Sequence, residues 1–363
     1  MRRNEIDWIR NICILMLFVY HTAVLFTDFG DFYIKAERSN LFSNIFILLT
    51  FSWYMPLLFF LAGASTYFAL QKRNGGQYIK ERAKRLLIPF IFGIVVIVPP
   101  QTYLARLWRG ERNINYFSHL KMFFTNVSDF MGFDGNFSPA HLWFIIFLFT
   151  ISIVGVLIIK WMKTRPGKAI SNKVKPIVLG KQALLWVLAS LIILEMIPTI
   201  GGKGVLTNLL LFILGYAAYS DTEVIERLSN NRRLFLKLTL ATIFVGAVYL
   251  FLLRGTQNGV VVYTLDGILK STISLIMGIT IVSYGIRYLN KKNKVLDYLN
   301  KASFPVYILH QTILLVLAFY ILPLTLPAWI SIVLIITLSF GLTFIAYEIC
   351  RRIKFMDVLL GMK

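Results

Sequence analysis

The chain has 363 residues, 57% of them hydrophobic and only 15% charged, with a mean hydropathy of +0.70. Such a composition falls outside the range of soluble globular proteins and marks an integral membrane protein. The formal net charge of +21 does not call for a nucleic-acid partner, because the positive residues first have to be placed relative to the membrane.

A span of about 20 apolar residues is needed to cross a hydrocarbon layer about 30 Å thick. The sequence offers about ten, at 6–26, 41–69, 86–108, 140–160, 183–198, 204–219, 236–254, 265–288, 303–322 and 328–350. The expected architecture is therefore all-α, a polytopic membrane helix bundle of about ten transmembrane helices, with 1–363 as one membrane domain. The first apolar run is too long for the h-region of a signal peptide and is expected to stay as a helix. Cys13 and Cys350 both lie in apolar runs and read as small hydrophobes.

An even number of spans puts both termini on one side. The N-terminus, the connections after spans two, four, six and eight, and the C-terminal tail hold 29 of the 38 Lys and Arg residues. The positive-inside rule then expects both termini in the cytoplasm, as for a multi-pass protein of the plasma (inner) membrane. This distribution accounts for most of the net charge through the lipid bilayer alone. Residues 109–139 form the longest outward connection, and Pro56, Pro99 and Pro100 are expected to kink long spans.

The first span carries Arg10 at its start and His21 deep inside. Eleven residues bring the helix almost back to the same direction, so the two share one face, about 16 Å apart along the axis. An ionisable residue within the membrane points to function by default. The structural alternative for His21 is an interhelical hydrogen bond that holds the bundle together, worth about 0.6 kcal/mol. A neutral imidazole in a low-dielectric site accepts a proton and suits a general base acting on an alcohol.

Three other histidines complete the set. His119 lies in the outward loop and reads as solvated or interfacial. His141 opens the fourth span beside Trp143, where an interface anchor and a substrate contact fit equally. His310 lies within the ninth span. Arg82 and Arg85, three residues apart at the entry of the third span, share a helical face. They fit either snorkelling positive-inside charge or a fork for the phosphates of a donor such as an acyl-coenzyme A. Glu195 lies near the outer end of span five, and Glu348 is placed to pair with Arg351 or Arg352. No phosphate loop, HExxH, CxxC pair or GxSxG occurs in a usable context, so no metal is expected.

Read in order, Ile6-Asp7-Trp8-Ile9-Arg10, Tyr20-His21-Thr22, Met55-Pro56-Leu57-Leu58-Phe59-Phe60-Leu61-Ala62-Gly63, Arg82-Ala83-Lys84-Arg85-Leu86-Leu87-Ile88-Pro89, His141-Leu142-Trp143-Phe144 and Ser303-Phe304-Pro305-Val306-Tyr307-Ile308-Leu309-His310 resemble the acyltransferase-3 family of integral membrane acyltransferases. The run Trp53-Tyr54-Met55-Pro56 is similar to the branch that succinylates periplasmic glucans. The resemblance implies an acyl-CoA donor, acetyl-CoA or succinyl-CoA, and transfer to a hydroxyl of a carbohydrate or similar acceptor at the outer face. It implies Arg10 and His21 as the essential pair and Arg82 and Arg85 as donor-binding residues; His141, Trp143 and His310 are candidate substrate-binding residues. A transient acyl-imidazole on His21 is the mechanistic alternative to base catalysis. A secondary transporter or flippase of a sugar or lipid-linked sugar is the alternative of another class.

Overall fold

A computed structural model describes residues 3–127, 130, 132–179, 182–197, 199–253 and 259–362. Among these, the regular elements are helices, apart from one antiparallel bridge between Ile200 and Lys203 that closes the Gly201-Gly202 turn. In chain order they are α1 (Asn4–Leu25), α2 (Leu41–Thr50), α3 (Tyr54–Leu70), α4 (Gly75–Phe92), α5 (Val98–Trp108), α6 (Tyr116–Thr125), α7 (Trp143–Met162), α8 (Arg165–Leu179), α9 (Ala183–Glu195), α10 (Val205–Ser220), α11 (Thr222–Asn230), α12 (Arg232–Val248), α13 (Gly259–Tyr288), α14 (Lys294–Ile321), α15 (Ala328–Cys350) and α16 (Met356–Leu359).

Each of the ten expected apolar segments contains a helix, but fewer of them can cross a membrane alone. Eight described helical stretches are long and apolar enough, or nine if a bent pair counts as one span. The difference falls on the fifth and sixth segments. Helix α9 has 13 residues, about 20 Å at 1.5 Å per residue and short of the hydrocarbon thickness. Helix α10 stops at Asp221, whose carboxylate accepts from Glu223 N (3.0 Å), and α11 leaves at 98°. An N-capping side chain of this kind starts a new helix instead of extending the old one. The expected ends at 198 and 254 lie outside the described residues.

The chain divides into two compact units. The first comprises Met1–Arg10, Leu49–Ile79 and Thr150–Lys292; the second comprises Asn11–Leu48, Lys80–Phe149 and Asn293–Lys363. In the first, α3 and α10 run in close contact because both carry glycine where they meet. A Cβ on Gly63 would overlap the backbone carbonyl of Phe212, and one on Gly215 the carbonyl of Phe60. Small residues permit this approach in membrane bundles, where lipid gives apolar side chains no reason to leave it. Leu191, Leu211 and Leu275 form the buried centre beside this contact. The start of α1 is fastened to the end of α13 by Trp8 Nε1–H donating to the Lys291 carbonyl (2.9 Å) and Asn4 N–H to Asn290 Oδ1 (3.1 Å).

In the second unit α14 is central. More than half of its most apolar window is buried, 56%, against 22% for α15, so α15 presents most of its apolar surface to lipid. The expected break near Pro99 and Pro100 is a π-helical turn, Gly93–Ile97, between α4 and α5. Two successive prolines lack the N–H groups that the carbonyls four residues earlier would use. Side chains of α14 brace the turn: Thr312 Oγ1 donates to the Ile97 carbonyl (2.8 Å), Gln101 Nε2 to Thr312 Oγ1 (2.7 Å), and Gln311 Nε2 to Gln101 Oε1 (2.8 Å). The second span is likewise interrupted at 51–53, between α2 and α3, and Pro56 sits in the first turn of α3, where its missing N–H has no intrahelical partner to lose.

Gly63→Val is expected to force α3 and α10 apart at a cost of about 1–3 kcal/mol. Thermal unfolding of detergent-solubilised protein, followed by size-exclusion chromatography, should show a lower midpoint than wild type. An equivalent valine at Gly341, where a Cβ meets nothing within 4 Å, should leave the midpoint unchanged.

Candidate active site

All four histidines belong to the second unit, and three of them, His21, His141 and His310, meet there. Helix α1 ends at Leu25, and the chain folds back so that Ala36 N–H donates to the Leu25 carbonyl and Asn40 N–H to that of Phe26, both at 2.8 Å. Lys35 pins this return. Its ammonium donates to Thr27 Oγ1 (2.8 Å) and to the carbonyls of Val24 (3.1 Å), Gly30 (3.2 Å) and Phe29 (3.3 Å), a cation placed where the helix leaves its last carbonyls exposed. The returning segment lays Phe32 flat on His21, with ring centroids 5.7 Å apart and planes 12° from parallel.

The other face of the cluster comes from α14 and the turn into α7. His310 is fully buried, its ring 5.3 Å from His21. Its Nδ1–H donates to the carbonyl of Tyr307, one turn earlier on the same helix (2.6 Å). His141 is 6% exposed and lies 5.1 Å from His310 with the planes at 84°. Its Nε2–H donates to the Ile308 carbonyl (3.0 Å), and the Tyr307 hydroxyl donates back to the His141 carbonyl. His141 reaches this position because Ala140 takes a positive φ of 49°, a conformation that a non-glycine residue adopts only when its surroundings enforce it. Phe18 packs edge-on against His310 (5.7 Å).

These contacts leave buried nitrogens with no hydrogen-bond partner among the described residues: His21 Nδ1, His141 Nδ1 and His310 Nε2. A buried orphan of this kind in a native fold calls for an explanation. The described residues include no group of three or more His, Cys, Asp or Glu arranged to hold a metal ion, and the orphan nitrogens suit a hydrogen-bonding substrate.

The remaining candidates are placed as follows. Arg10 belongs to the first unit and pairs with Asp7 (2.8 Å), eleven residues before His21 on the unbroken α1. Arg82 is half-buried and Arg85 exposed, both on α4 in the second unit. Trp143 is half-buried and packs edge-on against Phe144 and Phe147. Glu348 pairs with Arg351 (2.7 Å) and accepts from the Tyr298 hydroxyl (2.9 Å), while Glu195 pairs with Lys270.

His119 corrects the expectation of a solvated residue. It is fully buried, its Nε2–H donating to the Pro99 carbonyl (3.1 Å) with Thr102 Oγ1 also at 3.1 Å. This bond anchors the loop to the first turn of α5. Several polar residues of the interior were passed over in the sequence: Asn11, which bonds Asn300 (3.0 Å) and Ser303; the Gln101 and Gln311 pair; Lys35; and Glu5, fully buried with Arg3 at 3.8 Å. Their common signal is a lone polar residue inside or flanking an apolar run.

With the site described, its relatives can be compared. The profile of the acyltransferase domain family matches residues 3–348. The chain belongs to this acyltransferase-3 family. It is a multi-pass membrane acyltransferase, which sets the transporter alternative aside. Among curated relatives, glucans biosynthesis protein C of Salmonella typhimurium is 22% identical over 381 residues, and the protein of that name in Escherichia coli is 21% identical over 376. Each alignment covers 100% of this chain and 95% of the relative. No solved structure gives a significant match.

Burial holds the His119 imidazole below its ordinary pKa. The unfolded ring binds its proton near about pH 6.5 and the folded ring only at lower pH, so stability should fall as pH drops below about 6.5. His119→Gln is expected to lose less in thermal midpoint than wild type between about pH 7 and about pH 5; equal losses would show that His119 does not govern acid sensitivity.

Proposed function

We propose that this acyltransferase, acting through 1–363 as one domain, moves an acyl group from acyl-CoA to a hydroxyl of an envelope carbohydrate. Acetyl-CoA and succinyl-CoA are the donors the resemblance favours. The glucan in the names of the relatives supports a carbohydrate acceptor. His21 is the general base: it takes the proton of the acceptor hydroxyl as the oxygen attacks the thioester carbonyl, and the coenzyme leaves as thiol. The observation that carries this reading is the partly accessible His21 ring at the edge of a buried histidine cluster with unpartnered nitrogens.

Arg82 and Arg85 serve as a fork for the coenzyme's phosphates, since guanidinium groups three residues apart on one helix face can grip phosphate bidentately. Arg10, held by Asp7, orients the donor electrostatically. His141, Trp143 and His310 serve as substrate-binding residues. The charge distribution supports an inner-membrane protein with both termini in the cytoplasm, where acyl-CoA is made.

The test uses everted membrane vesicles from a deletion strain, which supply the native acceptor, with labelled acetyl-CoA or succinyl-CoA added outside. His21→Gln is expected to cut transfer at saturating donor by about 10²–10⁴-fold. Unchanged transfer would remove His21 from the chemistry. Arg82→Ala and Arg85→Ala should instead raise KM for acyl-CoA by about tenfold or more, the loss of a charge-assisted hydrogen bond.

A further inference from the structure

We propose that Arg106 and Phe133 decide which acceptor is used: they hold an aromatic wall against His21 that keeps water from competing with the sugar hydroxyl for the acyl group. The proposal rests on the reading of His21 as base. A base within reach of a thioester can take a proton from water as well as from an alcohol, so a transferase has to keep water out of its site.

The wall has two layers. The inner one is Phe32, buried and stacked on His21 with centroids 5.7 Å apart and planes 12° from parallel. The outer one is Phe133, half-buried, whose ring meets Phe32 at 5.6 Å and the buried Tyr33 edge-on at 5.0 Å. Phe133 lies outside any helix, so its place has to be fixed from elsewhere. Arg106, on α5, does this. The side chain is buried, and its guanidinium turns to the loop: Nε–H donates to the Gly135 carbonyl (3.1 Å), Nη2–H to Asn136 Oδ1 (2.6 Å) and Nη1–H to Glu111 Oε2 (2.9 Å). A guanidinium holds its donors in fixed directions, so the three bonds set the orientation of the segment that carries Phe133. Gly135 lets that segment come so close: its φ is +94°, and a Cβ there would lie 2.5 Å from Arg106 Cγ and 3.2 Å from the Thr102 carbonyl oxygen. Asn136 Nδ2 donates to Asp134 Oδ2 (2.9 Å), which leaves its Oδ1 turned to Arg106. Burying a cation is costly, and this one fastens the loop two residues from the ring that covers Phe32.

Where the wall is open, water reaches the imidazole. One O–H bond of water breaks, its proton passes to His21, and the oxygen bonds to the thioester carbon as the carbon–sulfur bond breaks. The departing thiolate takes the proton from His21, so the products are a free carboxylic acid and coenzyme A thiol, with no ester formed. Transfer to the sugar runs through the same steps with the acceptor hydroxyl in place of water. The ratio of free acid to ester therefore reads what reaches His21, whatever the amount of folded protein.

That ratio is measured in the same everted vesicles, as initial rates of labelled free acid and labelled ester from acetyl-CoA and succinyl-CoA, after subtracting the release by vesicles without the protein. Phe133→Ala and Arg106→Met are each expected to raise it by about tenfold, while Phe133→Tyr, which keeps the ring, stays within about twofold of the wild-type ratio. Adding His21→Gln to Phe133→Ala should abolish the excess acid, because the same base activates the water. Parallel losses of acid and ester at an unchanged ratio would overturn the proposal, as would excess acid that survives His21→Gln. Full transfer by His21→Gln alone would instead overturn the reading beneath it. If Arg106→Met fails to fold, Gly135→Ala, which crowds the Arg106 side chain, is expected to raise the ratio in its place, and an unchanged ratio there counts equally against the proposal.

Discussion

In an interior that lipid surrounds and water does not reach, a ring N–H needs a fixed acceptor, and in the second unit α14 supplies it. The carbonyls of Tyr307 and Ile308 each take a histidine N–H from a different direction, one from His310 on the same helix and one from His141 at the start of α7. The Tyr307 hydroxyl closes the loop by donating to the His141 carbonyl. These bonds fix two tautomers, and with them the sites of the remaining lone pairs. What the cluster can accept, donate or stabilise follows from that arrangement of hydrogens.

The same helix braces the π-helical turn that precedes Pro99 and Pro100. Gln311 and Thr312 follow His310 directly, and through Gln101 they supply donors at the π-helical turn. One turn of α14 thus holds the histidine cluster and is tied by side-chain bonds to the π-helical turn. This explains why a polar run, His310-Gln311-Thr312, stands amid residues that otherwise serve as apolar core. It also ties the position of His310 to a backbone irregularity, so that the ring is held by its own carbonyl and by its neighbours' bonds together.

Lys35 gives the outer border of the cluster a comparable rigidity. Its ammonium takes oxygens at and just beyond the end of α1, and the returned loop brings Phe32 against His21. The loop is thereby a packed wall of the site. In the first unit the determining contact is of another kind, backbone against backbone at Gly63 and Gly215, where the absence of a side chain sets the spacing of the helices.

Hydrophobicity, which depends on composition along the chain and not on its path in space, made the membrane class and the position of every apolar segment legible from sequence. The ordered motifs likewise led to the acyltransferase-3 family, and an ionisable residue in an apolar run singled out His21 and His310. Segment length alone did not show that α9 is short or that Asp221 turns α10 away, because capping and bending depend on which local hydrogen bond wins. Nor did spacing show that His119 is buried, that Lys35 caps α1, or that His21, His141 and His310 meet. Those residues lie up to 289 positions apart, and their meeting is decided by packing between helices, as are the hydrogen positions on rings whose partners are carbonyls remote in sequence.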